Sequence, residues 1–175
     1  RLIEECMLAA NVCASDFLRE HDHPMLYRIH EGPTPEKLAA LREFLKGFGY
    51  NLTGGDEPHA LDYAKLLAKI RDRPDAQLLQ TAMLRSLKQA VYSPDNVGHF
   101  GLAYESYTHF TSPIRRYPDL LVHRSIKAVL AGKRYQPGDW HELGARCSMT
   151  ERRADEATRD VESWLKCYYM QDKVG

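Results

Sequence analysis

Apolar residues recur at three- and four-residue spacing across residues 2–20, where Ile3, Cys6, Ala10, Cys13 and Phe17 form a stripe. That period predicts an amphipathic helix, ended by the polar run HDHP. MLYRIH at 25–30 reads as a short strand, and EGPTP hands over to a helix at about 36–47, with Thr34 as N-cap, Pro35 at the first helical position and Gly49 beyond the end. NLTGGDEPH is a loop. Helical patterns follow at about 60–71 and 75–91, the second turning Leu78, Leu79, Ala82, Met83 and Leu87 inward until SPDNVG stops it. HFGLAYESYTHF, at 99–110, partly alternates and is rich in aromatics, which predicts a strand feeding a helix that runs to about Ala131. The final pattern, at about 139–172, lines up Ala154, Ala157, Val161, Trp164, Leu165 and Tyr168 as a core-facing stripe, with ERR, DE and RD opposite. The sum is an α+β fold, predominantly helical with a few short strands, and without internal repeats.

The chain has 175 residues, about the size of one domain. Mean hydropathy is −0.51 and no apolar run approaches the roughly 18 residues a membrane span needs, so the pattern points away from a membrane protein. Lys and Arg number 24, as do Asp and Glu, so any anion site must be local. The local excess lies between Ser112 and Arg134, where six basic residues (Arg115, Arg116, Arg124, Lys127, Lys133, Arg134) face one acid, Asp119. Cys6, Cys13, Cys147 and Cys167 make no C-x-x-C pair, which predicts reduced, mostly buried thiols in a cytoplasmic protein. His21, His23 and His30 fall in polar surroundings and predict no metal site. Arg1 opens directly on helical periodicity, which reads as a piece of a longer chain.

The cationic stretch is THFTSPIRRYPDLLVHRSIKAVL, Thr108 to Leu130. Ser112 is a good N-cap and Pro113 a good first helical residue, which would put Arg115 at a helix mouth, where free N–H groups and the dipole attract phosphate. Pro118 offers the other reading, since proline inside a helix breaks it: the helix kinks there or begins there. Continuous helix would place Arg115, Asp119 and His123 at successive i, i+4 positions, with Asp119 orienting the Arg115 guanidinium. A guanidinium suits phosphate because its planar fork donates two parallel charge-assisted hydrogen bonds. By spacing alone the arginines also fit a solvated or locally paired helix start.

As a string, HFGLAYESYTHFTSPIRRYPDLLVHRSIKAVL resembles the hallmark segment of the RNB domain of the ribonuclease II family. LIEECMLAANVCASDFL, LYRIHEGP, DRPDAQLLQTAMLRSLKQAVYSPDN and CSMTERRADEATRDVESWLKCYYMQDKVG resemble the same family in the same order, so the likeness spans the whole chain. It implies the C-terminal portion of a catalytic domain from a processive 3′-to-5′ exoribonuclease that converts RNA, single-stranded or structured, to nucleoside 5′-monophosphates. It also implies Mg2+ in the full-length parent, held by aspartates upstream of this chain, and a following S1-type RNA-binding domain. The D-x-x-x-x-x-D-x-D-D pattern of those aspartates does not occur in this sequence, so no metal is expected on this piece.

Residue by residue, the resemblance makes Arg115 the arginine on the scissile phosphate. It makes Glu4, or its neighbour Glu5, a carboxylate near the terminal ribose that helps select RNA through the 2′-hydroxyl. Asn11, seven residues on and on nearly the same helix face, is a further substrate candidate. Ser112 and Arg116, with Thr111 and Arg124, are read as phosphate contacts or local pairs. Tyr104, Tyr107 and Phe110 stack on bases or belong to the core. Some relatives carry a glutamate just before the Arg-Asp pair of the last helix; Thr158 stands there in this chain, so no catalytic acid is assigned. The rival reading is a non-catalytic RNA-binding or partner-docking module on the same scaffold.

Overall fold

The computed structural model describes residues 1–173. In order, these form α1 (Leu2–Glu20), β1 (Tyr27–Ile29), α2 (Pro35–Gly47), α3 (Ala60–Ile70), α4 (Ala76–Ser86), β2 (Val91–Ser93), a 3-10 turn (Phe100–Leu102), α5 (Tyr117–Leu130) and α6 (Trp140–Met170). The fold is α+β and mostly helical. β1 and β2 pair antiparallel, with Arg28 opposite Tyr92.

Local chemistry sets the opening of α2 as expected, and caps α6 as well. Thr34 accepts the Lys37 N–H with Pro35 opening α2, and Asp139 accepts the N–H groups of His141 and Glu142 at the head of α6. α2, α3 and α4 bury Leu38, Leu41, Leu45, Leu66, Ile70 and Leu79 in one cluster. α1 packs on α5 through Ala14, Leu18, Met25 and Val122. The first half of α6 lies on β2, where Ser148 Oγ accepts the Tyr92 N–H at 2.8 Å. Gly144 permits that approach, since a Cβ there would sit 2.7 Å from the Tyr92 carbonyl oxygen.

Other expectations failed for identifiable reasons. The helix drawn over 75–91 stops at Ser86, because Val91–Ser93 pairs with β1 instead, and Leu78 is exposed while Leu79 and Met83 are buried. The strand drawn over 99–110 is a 3-10 turn followed by extended chain. Left-handed Gly98 (φ 77) precedes it and left-handed Ala103 (φ 56) interrupts it, and Tyr107 joins the sheet only through its carbonyl, which accepts the Arg28 N–H at 2.8 Å. In α1 the buried face is Asn11, Ala14, Ser15 and Leu18, one position away from the apolar stripe, and Ile3 is 76% exposed. Polar partners decided that rotation: Asn11 and Ser15 bond to Tyr107 and Ser106.

The α6 stripe is not core. Val161, Trp164, Leu165 and Tyr168 are 51–67% exposed, because the helix runs past the body after Glu151 and finds no partner among the described residues. The cysteines are free, but Cys6, Cys13 and Cys167 are exposed and only Cys147 is half-buried, contrary to the expected burial. No helix among the described residues is long and apolar enough to cross a membrane.

Candidate functional site

The Ser-Pro-Ile-Arg-Arg segment is a separate turn ahead of α5. The Ser112 carbonyl accepts the N–H groups of Arg115 at 3.3 Å and Arg116 at 3.0 Å; the helix then begins at Tyr117 with Pro118 in its first turn. Ser112 is therefore not the N-cap. Arg116 occupies that position in extended conformation (φ −123, ψ 118). Proline explains the choice, because at the second helical position its missing N–H costs nothing.

The break redirects the ion pair. Asp119 pairs with Arg116 at 2.7 Å rather than with Arg115, because Arg115 stands outside the helix and is not one turn above the carboxylate. The same Asp119 Oδ1 accepts the Ser112 N–H at 2.8 Å. Asp119 is completely buried, yet its Oδ2 has no hydrogen-bond partner, and neither do the buried Arg116 Nε and Thr111 Oγ1.

Arg115 itself is exposed and has no ion-pair partner among the described residues. Ile114 beside it is wholly exposed, at 102%. The turn thus projects a solvent-facing guanidinium from a backbone anchored in the core. Arg124, one of the other cations of the segment, is spoken for: it donates to the Tyr135 hydroxyl at 3.2 Å.

Extended chain before the turn is held from both sides. Asn11 is buried, donates to the Tyr107 hydroxyl at 2.8 Å and accepts the Phe110 N–H at 2.9 Å. Its amide therefore ties α1 to the strand-like segment two residues before Ser112. His123 donates to the Phe110 carbonyl at 2.9 Å and stacks on its ring, with centroids 4.2 Å apart. Tyr107 is buried and stacked on Tyr104 at 5.7 Å, the core side of the alternatives left open for these aromatics.

A second polar cluster escaped the sequence reading. Arg28 on β1 donates both guanidinium arms to Glu151 of α6, at 2.6 and 3.1 Å, and lies 4.6 Å over the Tyr92 ring. The Tyr92 hydroxyl bonds to His109 Nδ1 at 2.9 Å. Burial pushes Tyr92 up to about 12. Burial, with the nearby positive charges of Arg116 and Arg28, and then His99 and Arg115, pushes His109 down to about 3, so His109 is neutral. The only signal for this cluster was the alternation around Arg28, since its members come from four separate stretches of sequence.

Glu4 and Glu5 lie in the exposed first turn of α1. Glu4 shares a helix face with Asn11 and stands about 10 Å up the axis from it. A divalent metal does not fit these residues. No three His, Cys, Asp or Glu side chains converge among the described residues, and the one fully buried carboxylate, Asp119, is already paired with Arg116. His23 and His30 each use both ring nitrogens on backbone groups. A cavity of about 820 Å³ between α3, α4 and the 3-10 turn is lined mainly by apolar side chains such as Tyr63, Leu67, Met83 and Phe100, and offers no charged cluster.

Comparison with known proteins places the chain in a family. Residues 1–132 match the model of the RNB domain, and the chain belongs to that family. It is 53% identical over its whole length to Ribonuclease R of Escherichia coli strain K12, covering 23% of that protein. The fold superposes on Mycoplasma genitalium RNase R in complex with ribose-methylated single-stranded RNA with a TM-score of 0.90 and 26% identity, over 99% of this chain and 28% of that one. It also resembles yeast Ssd1, described as a pseudonuclease, with a TM-score of 0.70 and 29% identity over 85% of this chain and 18% of the other. The chain therefore spans about a quarter of the length of the curated relatives it matches.

Proposed function

We propose that these residues form the C-terminal portion of the RNB catalytic domain of a processive 3′-to-5′ exoribonuclease acting on RNA in the cytoplasm, and that Arg115 contacts the scissile phosphate. The observation that carries this reading is the exposed, unpaired guanidinium of Arg115 on a turn whose backbone is clamped by a buried carboxylate. A planar guanidinium fork facing solvent can hold the pentacoordinate transition state of phosphodiester hydrolysis more strongly than the tetrahedral ground state, because charge grows on the nonbridging oxygens as the nucleophile adds. Arg116 and Ser112 support the turn: one guanidinium arm and one amide are spent on Asp119. Asn11 orients the approach to the turn. We place the Mg2+ on carboxylates elsewhere in the full-length protein, together with the S1-type domain.

The test is product analysis. Full-length protein and a 5′-labelled single strand should give shortening from the 3′ end, with nucleoside 5′-monophosphates as the released species. Internal cuts at first encounter exclude the reading. Retained RNA binding without released nucleotide favours the second reading, a non-catalytic RNB scaffold, to which the likeness to a pseudonuclease lends support.

Glu4 is proposed to accept a hydrogen bond from the 2′-hydroxyl near the 3′ end. A hydrogen bond to a charged group contributes roughly 1.5–3 kcal/mol, so Glu4→Ala in the full-length enzyme should slow RNA cleavage about tenfold or more while a matched DNA strand binds as before. Equal weakening of RNA and DNA would show that Glu4 acts through the first turn of α1. No change in either would move the assignment to Glu5.

A further inference from the structure

We infer that Asp119 is the positioning residue for Arg115, holding both ends of the turn that carries it; this rests on reading Arg115 as the phosphate contact. Arg115 has no side-chain partner among the described residues, so what the fold fixes of it is the position of its backbone. That backbone lies between Ser112 and Arg116. One oxygen, Asp119 Oδ1, takes the Ser112 N–H at 2.8 Å and the Arg116 Nη2 at 2.7 Å, and so grips the residues on either side. Moving the turn would require breaking a charge-assisted bond whose carboxylate end is fully buried, where such bonds are strong.

The burial of Asp119 is what separates this role from helix capping. An acid in the first turn of a helix favours α5 through the dipole, but it does so equally well from the surface. Here the carboxylate is fully buried and spends one oxygen on two groups of the turn that carries Arg115. The pairing also disposes of the second cation: Arg116 neutralises Asp119 and leaves Arg115 as the outward charge of the pair.

The test uses the full-length enzyme and steady-state kinetics on a single-stranded RNA. Asp119→Asn keeps the size of the side chain and an oxygen for the Ser112 N–H, but loses the charge that fixes Arg116. We expect kcat to fall about tenfold to a hundredfold while KM stays within about threefold, as misplacement of a reacting group predicts. The thermal midpoint should move by no more than a few degrees. Arg116→Gln should produce a similar fall, and the double variant should be no slower than the worse single one, since both act through one contact. The double variant leaves neither charge buried alone and carries the test if Asp119→Asn does not fold.

Unchanged turnover in Asp119→Asn, a loss that tracks only the folded fraction, or additive effects in the double variant overturns the inference. Arg115→Ala run in parallel separates the two claims. An inactive Arg115→Ala beside a fully active Asp119→Asn sinks the positioning role alone. An active Arg115→Ala sinks the phosphate assignment and the positioning role with it.

Discussion

Full-length enzyme carrying Arg115→Ala is expected to turn over RNA about a hundredfold to a thousandfold more slowly than the parent, the usual effect of removing one preorganised transition-state donor. The loss should appear in kcat with only a modest change in KM, because an exposed guanidinium contributes little to ground-state binding of a long strand that many other groups hold. Arg115→Lys should remain poor, since an ammonium keeps the charge but cannot donate two parallel bonds to one phosphate. Both variants should fold normally, as Arg115 is exposed and has no ion-pair partner among the described residues. Turnover within about threefold of the parent for both, measured by release of monophosphates, would exclude a role on the scissile phosphate.

The 175-residue chain by itself is expected to release no nucleotide from RNA with any divalent metal. Phosphoryl transfer to water in a two-metal site needs carboxylates that activate the nucleophile and neutralise the leaving oxygen. No three such ligands converge among the described residues, so the phosphate contact proposed for Arg115 would have no hydrolytic centre beside it. The measurement is a time course on labelled single-stranded RNA with nuclease-free chain, with and without Mg2+. Metal-dependent 3′-to-5′ release of monophosphates from this chain would show that its own side chains form a competent centre, and would overturn the division proposed here.

What the sequence by itself determined is local. The presence of five of the six helices within a few residues of their ends and the Thr34–Pro35 opening of α2 follow from neighbours a turn apart. The cationic turn was legible for the same reason: two prolines and a serine within seven residues force a break in the helix, and the string that carries them is distinctive of the family.

Tertiary structure decided everything that needed a distant partner. β2 is a strand only because β1 offers Ile29 and Arg28 to Val91 and Tyr92; its residues otherwise continue a helical pattern. α1 turned its buried face toward Asn11 and Ser15 because hydroxyl groups 96 and 91 residues away satisfy them, and no local pattern encodes that. Asp119 chose Arg116 over Arg115 because the turn ends before the helix starts, which spacing along a single continuous helix does not express. The α6 stripe shows the limit most simply. Helical periodicity names the apolar face of Val161, Trp164, Leu165 and Tyr168, but whether that face is buried depends on a partner surface that no count of residues along the chain supplies.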